Sequence, residues 1–172
     1  MREEVKDLSG LIDITINTVR KLTMDLRPAM LDDLGLIPAV EWMIKGVQKR
    51  VGIKTKLTVK PSRLKLGPDL SLTIFRIIQE SLTNVIRYAQ ATRVQIVLEK
   101  EPGCLDLMIK DNGIGIQQKQ IKSHYSLGLV GMKERVMSYG GKLEITGEKN
   151  KGTTITVFFS PLKKGKSENT DS

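Results

Sequence analysis

Leu105, Leu107 and Ile109 alternate with Asp106, Met108 and Lys110, and the run ends directly on Asp111-Asn112-Gly113-Ile114-Gly115. A period of two means an extended strand with one face buried and the other turned outward. A sheet built on such strands must be covered by other elements on its apolar side. The acid at the strand end is held rigidly and can face a ligand. The glycines behind it let the backbone turn tightly and let a bulky group come close.

The cover comes from helices. Residues from about Pro68 to Ala89 read as one helix, with Phe75, Ile78, Leu82, Val85 and Ala89 on a single stripe. Thr73, Arg76, Glu80, Asn84 and Arg87 fall on the opposite side, within roughly 80° of arc. A carboxylate, an amide and arginines on one face could hold a metal ion and phosphates together. Glu80 and Asn84 are one turn apart, so both can reach one ion or its waters.

Earlier in the chain, Val5, Leu8, Ile12, Thr15, Val19, Leu22 and Leu26 are spaced alternately by three and four, the seam of a bundle or coiled-coil helix over residues 3–26. It has no partner of equal length in the chain, which points to an intermolecular one. Residues 26–36 form an apolar link punctuated by Pro28 and Gly35. A second helix is expected from about Pro38 to Val51, stopped by Gly52, with Val40, Ile44, Val47 and Val51 buried. Lys54–Lys60 reads as a strand, and Val94–Lys100 with Leu105–Lys110 as a hairpin about Pro102-Gly103.

Residues 116–127 are polar and lack periodicity, a loop that contains His124. The segment Ser126-Leu127-Gly128-Leu129-Val130-Gly131-Met132 opens a helix running to about Tyr139. Glycines at a helix start expose backbone N–H groups that suit an anion. Lys142–Thr146 and Thr153–Phe159 are the last strands, and 163–172 is a polar, disordered tail. The order of elements predicts an α+β fold, one sheet with helices on one face.

Composition excludes several classes. No apolar run reaches the ~20 residues that span a bilayer, and no signal peptide opens the chain. One cysteine, Cys104, and one histidine, His124, give neither a disulfide nor a zinc site and fit a cytoplasmic setting. The net charge of +9 favours anionic partners. Aromatics at 4% argue against a stacking platform for single strands, and no nucleic acid is expected as partner. No G-x-G-x-x-G is present. Residues 147–153 come near a P-loop, but Thr153 stands where the lysine must be.

Read together and in order, FRIIQESLTNVIRYAQA (75–91), DNGIG (111–115), GLVGM (128–132) and Gly152-Thr153-Thr154 resemble the ATP-binding domain of sensor histidine kinases, in the superfamily shared with gyrase and Hsp90. LRPAMLDDLGLIPAVEWM resembles the region after the phosphoacceptor helix in the NarX/DesK-like subfamily. The resemblance implies a Bergerat-type α/β sandwich with a mixed, mainly antiparallel sheet. It divides the chain into residues 1–34, the second helix of a dimerisation hairpin with its linker, and 35–162, the ATP-binding domain. It implies ATP and Mg²⁺ as ligands, Asn84 on the metal and Glu80 on its water shell, these two being the catalytic pair. Arg87 would contact phosphate, with Tyr88 bordering that face where relatives often carry histidine. Asp111 would accept from the adenine amino group, and Gly113 and Gly115 would let adenine and lid pack closely. Gly128, Leu129, Gly131 and Met132 would bring a helix N-terminus to the phosphates. Thr153 would lie near the base, and 116–127 would be the ATP lid.

The implied reaction passes the γ-phosphoryl of ATP to a histidine and then to an aspartate of a response regulator receiver domain. The chain has no histidine before His124, which lies in the lid segment, so the acceptor is expected on a preceding helix outside this chain. The implied assembly is a homodimer through the N-terminal helix, with this region cytoplasmic and membrane anchoring of the full-length protein left open. Two alternatives share this site chemistry. One is an anti-sigma-type serine kinase, against which the heptad seam counts. The other is a non-catalytic nucleotide-sensing module.

Overall fold

A computed structural model describes residues 29–117 and 127–160. The heptad helix over 3–26, His124 with the middle of the expected lid, and the tail at 163–172 lie outside the described residues. The elements are α1 (Ala29–Leu34), α2 (Leu36–Val51), β1 (Lys54–Lys60), α3 (Pro68–Asn84) continued by a π-helical turn (Val85–Ala89), β2 (Arg93–Glu101), β3 (Cys104–Asp111), α4 (Leu127–Ser138), β4 (Lys142–Glu148) and β5 (Gly152–Phe159).

The five strands form one sheet in the order β1-β2-β3-β5-β4. β1 and β2 are parallel, joined through α3, and the other three pairs are antiparallel. The alternation in sequence becomes two faces. Val94, Ile96, Leu98, Leu105, Leu107, Ile109, Ile155, Val157 and Phe159 are buried, while Arg93, Gln95, Lys110, Thr156 and Phe158 between them are exposed. The helices close the apolar face: α2 meets β1 and α3, α3 meets β3, and α4 meets α3 and β4. This is the mixed, mainly antiparallel α+β sandwich expected. Among the described residues no helix is long and apolar enough to cross a membrane.

Local chemistry explains the helix ends. α3 begins at Pro68, whose missing N–H costs nothing in a first turn, with Asp69 beside it at the positive end of the helix dipole. α2 carries Lys49 and Arg50 in its last turn and stops at Gly52, whose N–H bonds the Gln48 carbonyl.

Two expectations are corrected. Val51, the last residue of α2, is 47% exposed; Ile53, beyond the turn, is buried instead. The stretch expected to be a link holds α1, whose Leu31 enters the core against α2 and α3. Six residues are under two turns, too few for a helical period to declare itself.

Candidate functional site

A cavity of about 510 Å³ opens between α3 with its π turn, the end of β3, the start of α4, and the inner faces of β4 and β5. That is within the ~300–1,000 Å³ range of small-molecule sites. Its walls differ in chemistry. Glu80, Asn84, Arg87 and Tyr88 line the α3 side, and Gly128 with Leu129 the α4 side. Ile109, Ile145 and Ile155 form the floor, with Val85, Ala89 and Ile114 beside them. A flat apolar group fits the floor, and a charged one fits the side nearest Asn84 and Arg87.

Asp111 lines the inner end and is 5% exposed. Its Oδ1 accepts the Gly113 N–H at 2.7 Å. This bond fixes the carboxylate plane. The second oxygen makes no hydrogen bond with a described residue and can accept one from a ligand.

The turn after Asp111 is pinned from both sides. The Ile114 N–H reaches the Ala89 carbonyl at 2.8 Å, so a carbonyl left open at the end of the π turn gains a partner. Asn112 Oδ1 accepts the N–H groups of Thr92 (3.0 Å) and Arg93 (2.8 Å), and its Nδ2 donates to Thr92 Oγ1 at 2.9 Å. The Ile114 carbonyl accepts the Asn150 N–H at 2.9 Å, which ties the turn to the β4–β5 connection. Gly113 lies so close to the Ala89 carbonyl that no side chain fits, and Gly115, at φ +77°, faces the Glu148 carbonyl equally closely. The D-N-G-I-G stretch is therefore a rigid corner, with Asp111 aimed into the cavity.

Glu80 and Asn84 sit one turn apart on the cavity wall, as their spacing requires. A side chain at Gly128 would run into the Glu80 carboxylate and push it from its place on the cavity wall. Arg87 and Tyr88 stand at the rim, Tyr88 66% exposed. Thr153 and Gly115 complete the lining.

Other predicted residues lie outside the cavity. Thr73 and Arg76 are up to two turns earlier on α3, where α4 and its exit cover the helix. Thr73 is 7% exposed and hydrogen-bonds Tyr139, while Arg76 donates to Gln79 Oε1 at 2.8 Å. Gly113 does not line the cavity but seats the corner, and Gly131 faces the Arg135 guanidinium. Met132 is fully buried, its Sδ accepting the Ser81 hydroxyl at 3.8 Å, and so anchors α4 to α3 from behind.

The isoleucine floor is the part that sequence reasoning did not assign. Ile109, Ile145 and Ile155 read as ordinary inward strand positions. The register Ile109↔Ile155↔Ile145 puts them in one row across three strands, and strand pairing was not legible beforehand.

The family described as histidine kinase-, DNA gyrase B- and HSP90-like ATPase matches residues 69–164. Signal transduction histidine-protein kinase/phosphatase DegS of Brevibacillus brevis is 36% identical over 155 residues, covering 90% of this chain and 40% of that protein. Oxygen sensor histidine kinase NreB of Staphylococcus carnosus is 31% identical over 152 residues, 88% of this chain and 44% of that one. The chain thus spans less than half the length of these relatives. Among solved structures, Acinetobacter baumannii histidine kinase AdeS superposes with a TM-score of 0.63 at 18% identity, over 91% of this chain and 83% of that chain. Mycobacterial sensor histidine kinase MprB gives 0.57 at 22%, over 73% and 93%. At these identities the two structures speak for the fold.

Proposed function

Because this chain belongs to the histidine kinase-, DNA gyrase B- and HSP90-like ATPase family, we propose that its cavity binds ATP and presents the γ-phosphoryl for transfer to a histidine. The observation that carries the reading is the buried Asp111 carboxylate, one oxygen held by Gly113 and the other free, at the closed end of an isoleucine-floored cavity. A fixed acceptor there selects an exocyclic amino group, which adenine has and guanine lacks at that edge. Ile109, Ile145 and Ile155 take the base between apolar surfaces. Arg87 and the N-terminal N–H groups of α4 take the polyphosphate.

Glu80 and Asn84 fit a magnesium ion of a particular kind. Among the described residues no cluster of three acids, histidines or cysteines could hold an ion unaided. One carboxylate and one amide make a partial set, suited to an ion that keeps waters and takes phosphate oxygens as its other ligands. Such an ion, when bound, neutralises phosphate charge. Asn84 would ligate it directly and Glu80 through water.

In the transfer, the bond from the γ-phosphorus to the bridging oxygen breaks, a bond to the imidazole nitrogen forms, and ADP leaves. The chain's residues act by positioning and charge neutralisation. The acceptor would sit on a helix outside these residues, in a dimeric protein that passes the phosphoryl to a response regulator receiver domain. The relatives named as histidine kinases and the heptad spacing at residues 3–26 support that arrangement.

Calorimetric titration of ATP with and without Mg²⁺, against GTP, tests the site. Adenine-selective binding strengthened by Mg²⁺ is expected; equal binding of GTP, or none of either, overturns it. Incubation of ATP-loaded protein with a supplied helical fragment carrying the acceptor histidine then separates a kinase from a nucleotide sensor.

A further inference from the structure

The strand end that presents Asp111 to the nucleotide cavity has a second side. On the open face of the sheet a cleft of about 480 Å³ is walled by Lys54, Lys56, Arg93 and Lys110, with Asp111 and Asn112 at its end. Register explains the cluster. Lys54 stands opposite Arg93, and Lys56 opposite Gln95, which stands opposite Lys110. With strands about 4.8 Å apart, the four cations occupy a patch about 10 Å across. All four are exposed, and none forms an ion pair with another described residue. The far end of the same face is different: Lys60 pairs with Glu99 at 2.8 Å, and Asp106 lies beside them.

We propose that this cleft docks an acidic protein segment, its carboxylates spread over Lys54, Lys56, Arg93 and Lys110. Charge complementarity selects the class, and the layout selects within it. Phosphate sites are commonly built on converging backbone N–H groups. Here the amides of β2 and β3 are committed to the ladder and those of the edge strand β1 lie in the plane of the sheet, so the face of the cleft offers mainly side chains. Separate carboxylates match separate lysines better than one compact phosphate does. A nucleic-acid backbone following the face would run onto Glu99, Asp106 and Glu144. The cleft and the nucleotide cavity have only Asp111 in common among their lining residues, and the four cations line the cleft alone. The inference therefore stands whether or not ATP is the nucleotide.

The test is fluorescence anisotropy of a labelled alternating Asp–Ser peptide, with ADP and Mg²⁺ present to fill the other cavity. The expected result is salt-sensitive binding that the triple variant K54E/K56E/K110E weakens by about tenfold or more, with an unchanged melting midpoint. Asn84→Ala should leave peptide binding as it was. Should the triple variant fold poorly, Lys56→Gln and Lys110→Gln singly should each weaken binding about two- to threefold. Equal binding by the variants would place the peptide elsewhere and overturn the proposal. So would displacement of the peptide by inorganic tripolyphosphate or a short DNA duplex at lower concentration than by unlabelled peptide.

Discussion

At the scale of single residues, the site depends on side chains whose positions are fixed by neighbours. Asp111 is held through Gly113, so Asp111→Ala removes the buried carboxylate of the cavity without opening the core. Preference for ATP over GTP should fall to near unity in competition titrations, and a retained preference would rule out the adenine contact. Asn84 is half-buried and faces the cavity. Asn84→Ala should abolish the Mg²⁺-dependent part of ATP binding while the melting midpoint stays put. Unchanged affinity would remove the amide from the metal.

Tyr139 tests the core side of α3. Burial pushes its hydroxyl above the usual tyrosine range, the Asp69 carboxylate adds to that, and a hydrogen bond with Thr73 draws it partly back. A raised folded value means the stabilisation is complete below the unfolded pKa of about 10 and is lost as pH rises through the folded value. Tyr139→Phe keeps the edge-on contact with Phe159, whose ring centre is 6.3 Å away at 88°. The stability difference between wild type and variant should therefore be flat below about pH 9 and change as pH rises past the unfolded pKa of about 10. A difference that does not vary across that rise would show the hydroxyl to be inert.

At the scale of elements, Asn112 joins β2 to the corner after β3 with three hydrogen bonds. At about 0.5–1.5 kcal/mol each, discounted for exposure, Asn112→Ala should lower unfolding stability by about 1–2 kcal/mol in urea denaturation. It should also weaken ATP binding through the displaced Asp111. Loss of binding without loss of stability would mean that the corner does not depend on this staple. The sequence announced Asp111 and its glycines as a ligand-facing corner, because a strand period ending on an acid is a local pattern. It did not announce the π turn. Apolar spacing continues unbroken from Phe75 to Ala89, and a change from one hydrogen-bond pattern to another leaves no mark on residue type. Met132 was placed at the site by the resemblance of GLVGM to the kinase family. Whether it meets ligand or core depends on how α4 docks, which only tertiary packing decides.

At the scale of the whole molecule, the cavity draws on α3, β3, α4, β4 and β5 together, so its ligand binds the folded chain alone. At a hundredfold excess over its dissociation constant ATP should add about 2.7 kcal/mol of stability. It should raise the melting midpoint by several degrees where GTP does not, read by differential scanning fluorimetry. An identical midpoint with and without ATP would mean that the cavity does not bind ATP. The architecture as a whole was legible from periodicity, whereas the order of its strands was not, since β5 enters between two strands that precede it.

That insertion bears on how the protein is made. β4 leaves the ribosome before β5, yet its place in the sheet is beside β5 and nothing else. Until synthesis passes Phe159, β3 keeps an unpaired edge, β4 has no neighbour, and the cavity lacks Thr153 and Ile155. Glu80, Asn84 and Asp111 are translated early, but a nascent chain cannot use them. Nucleotide capture marks the completed sheet, and a chain that stalls short of β5 exposes two strand edges open to aggregation.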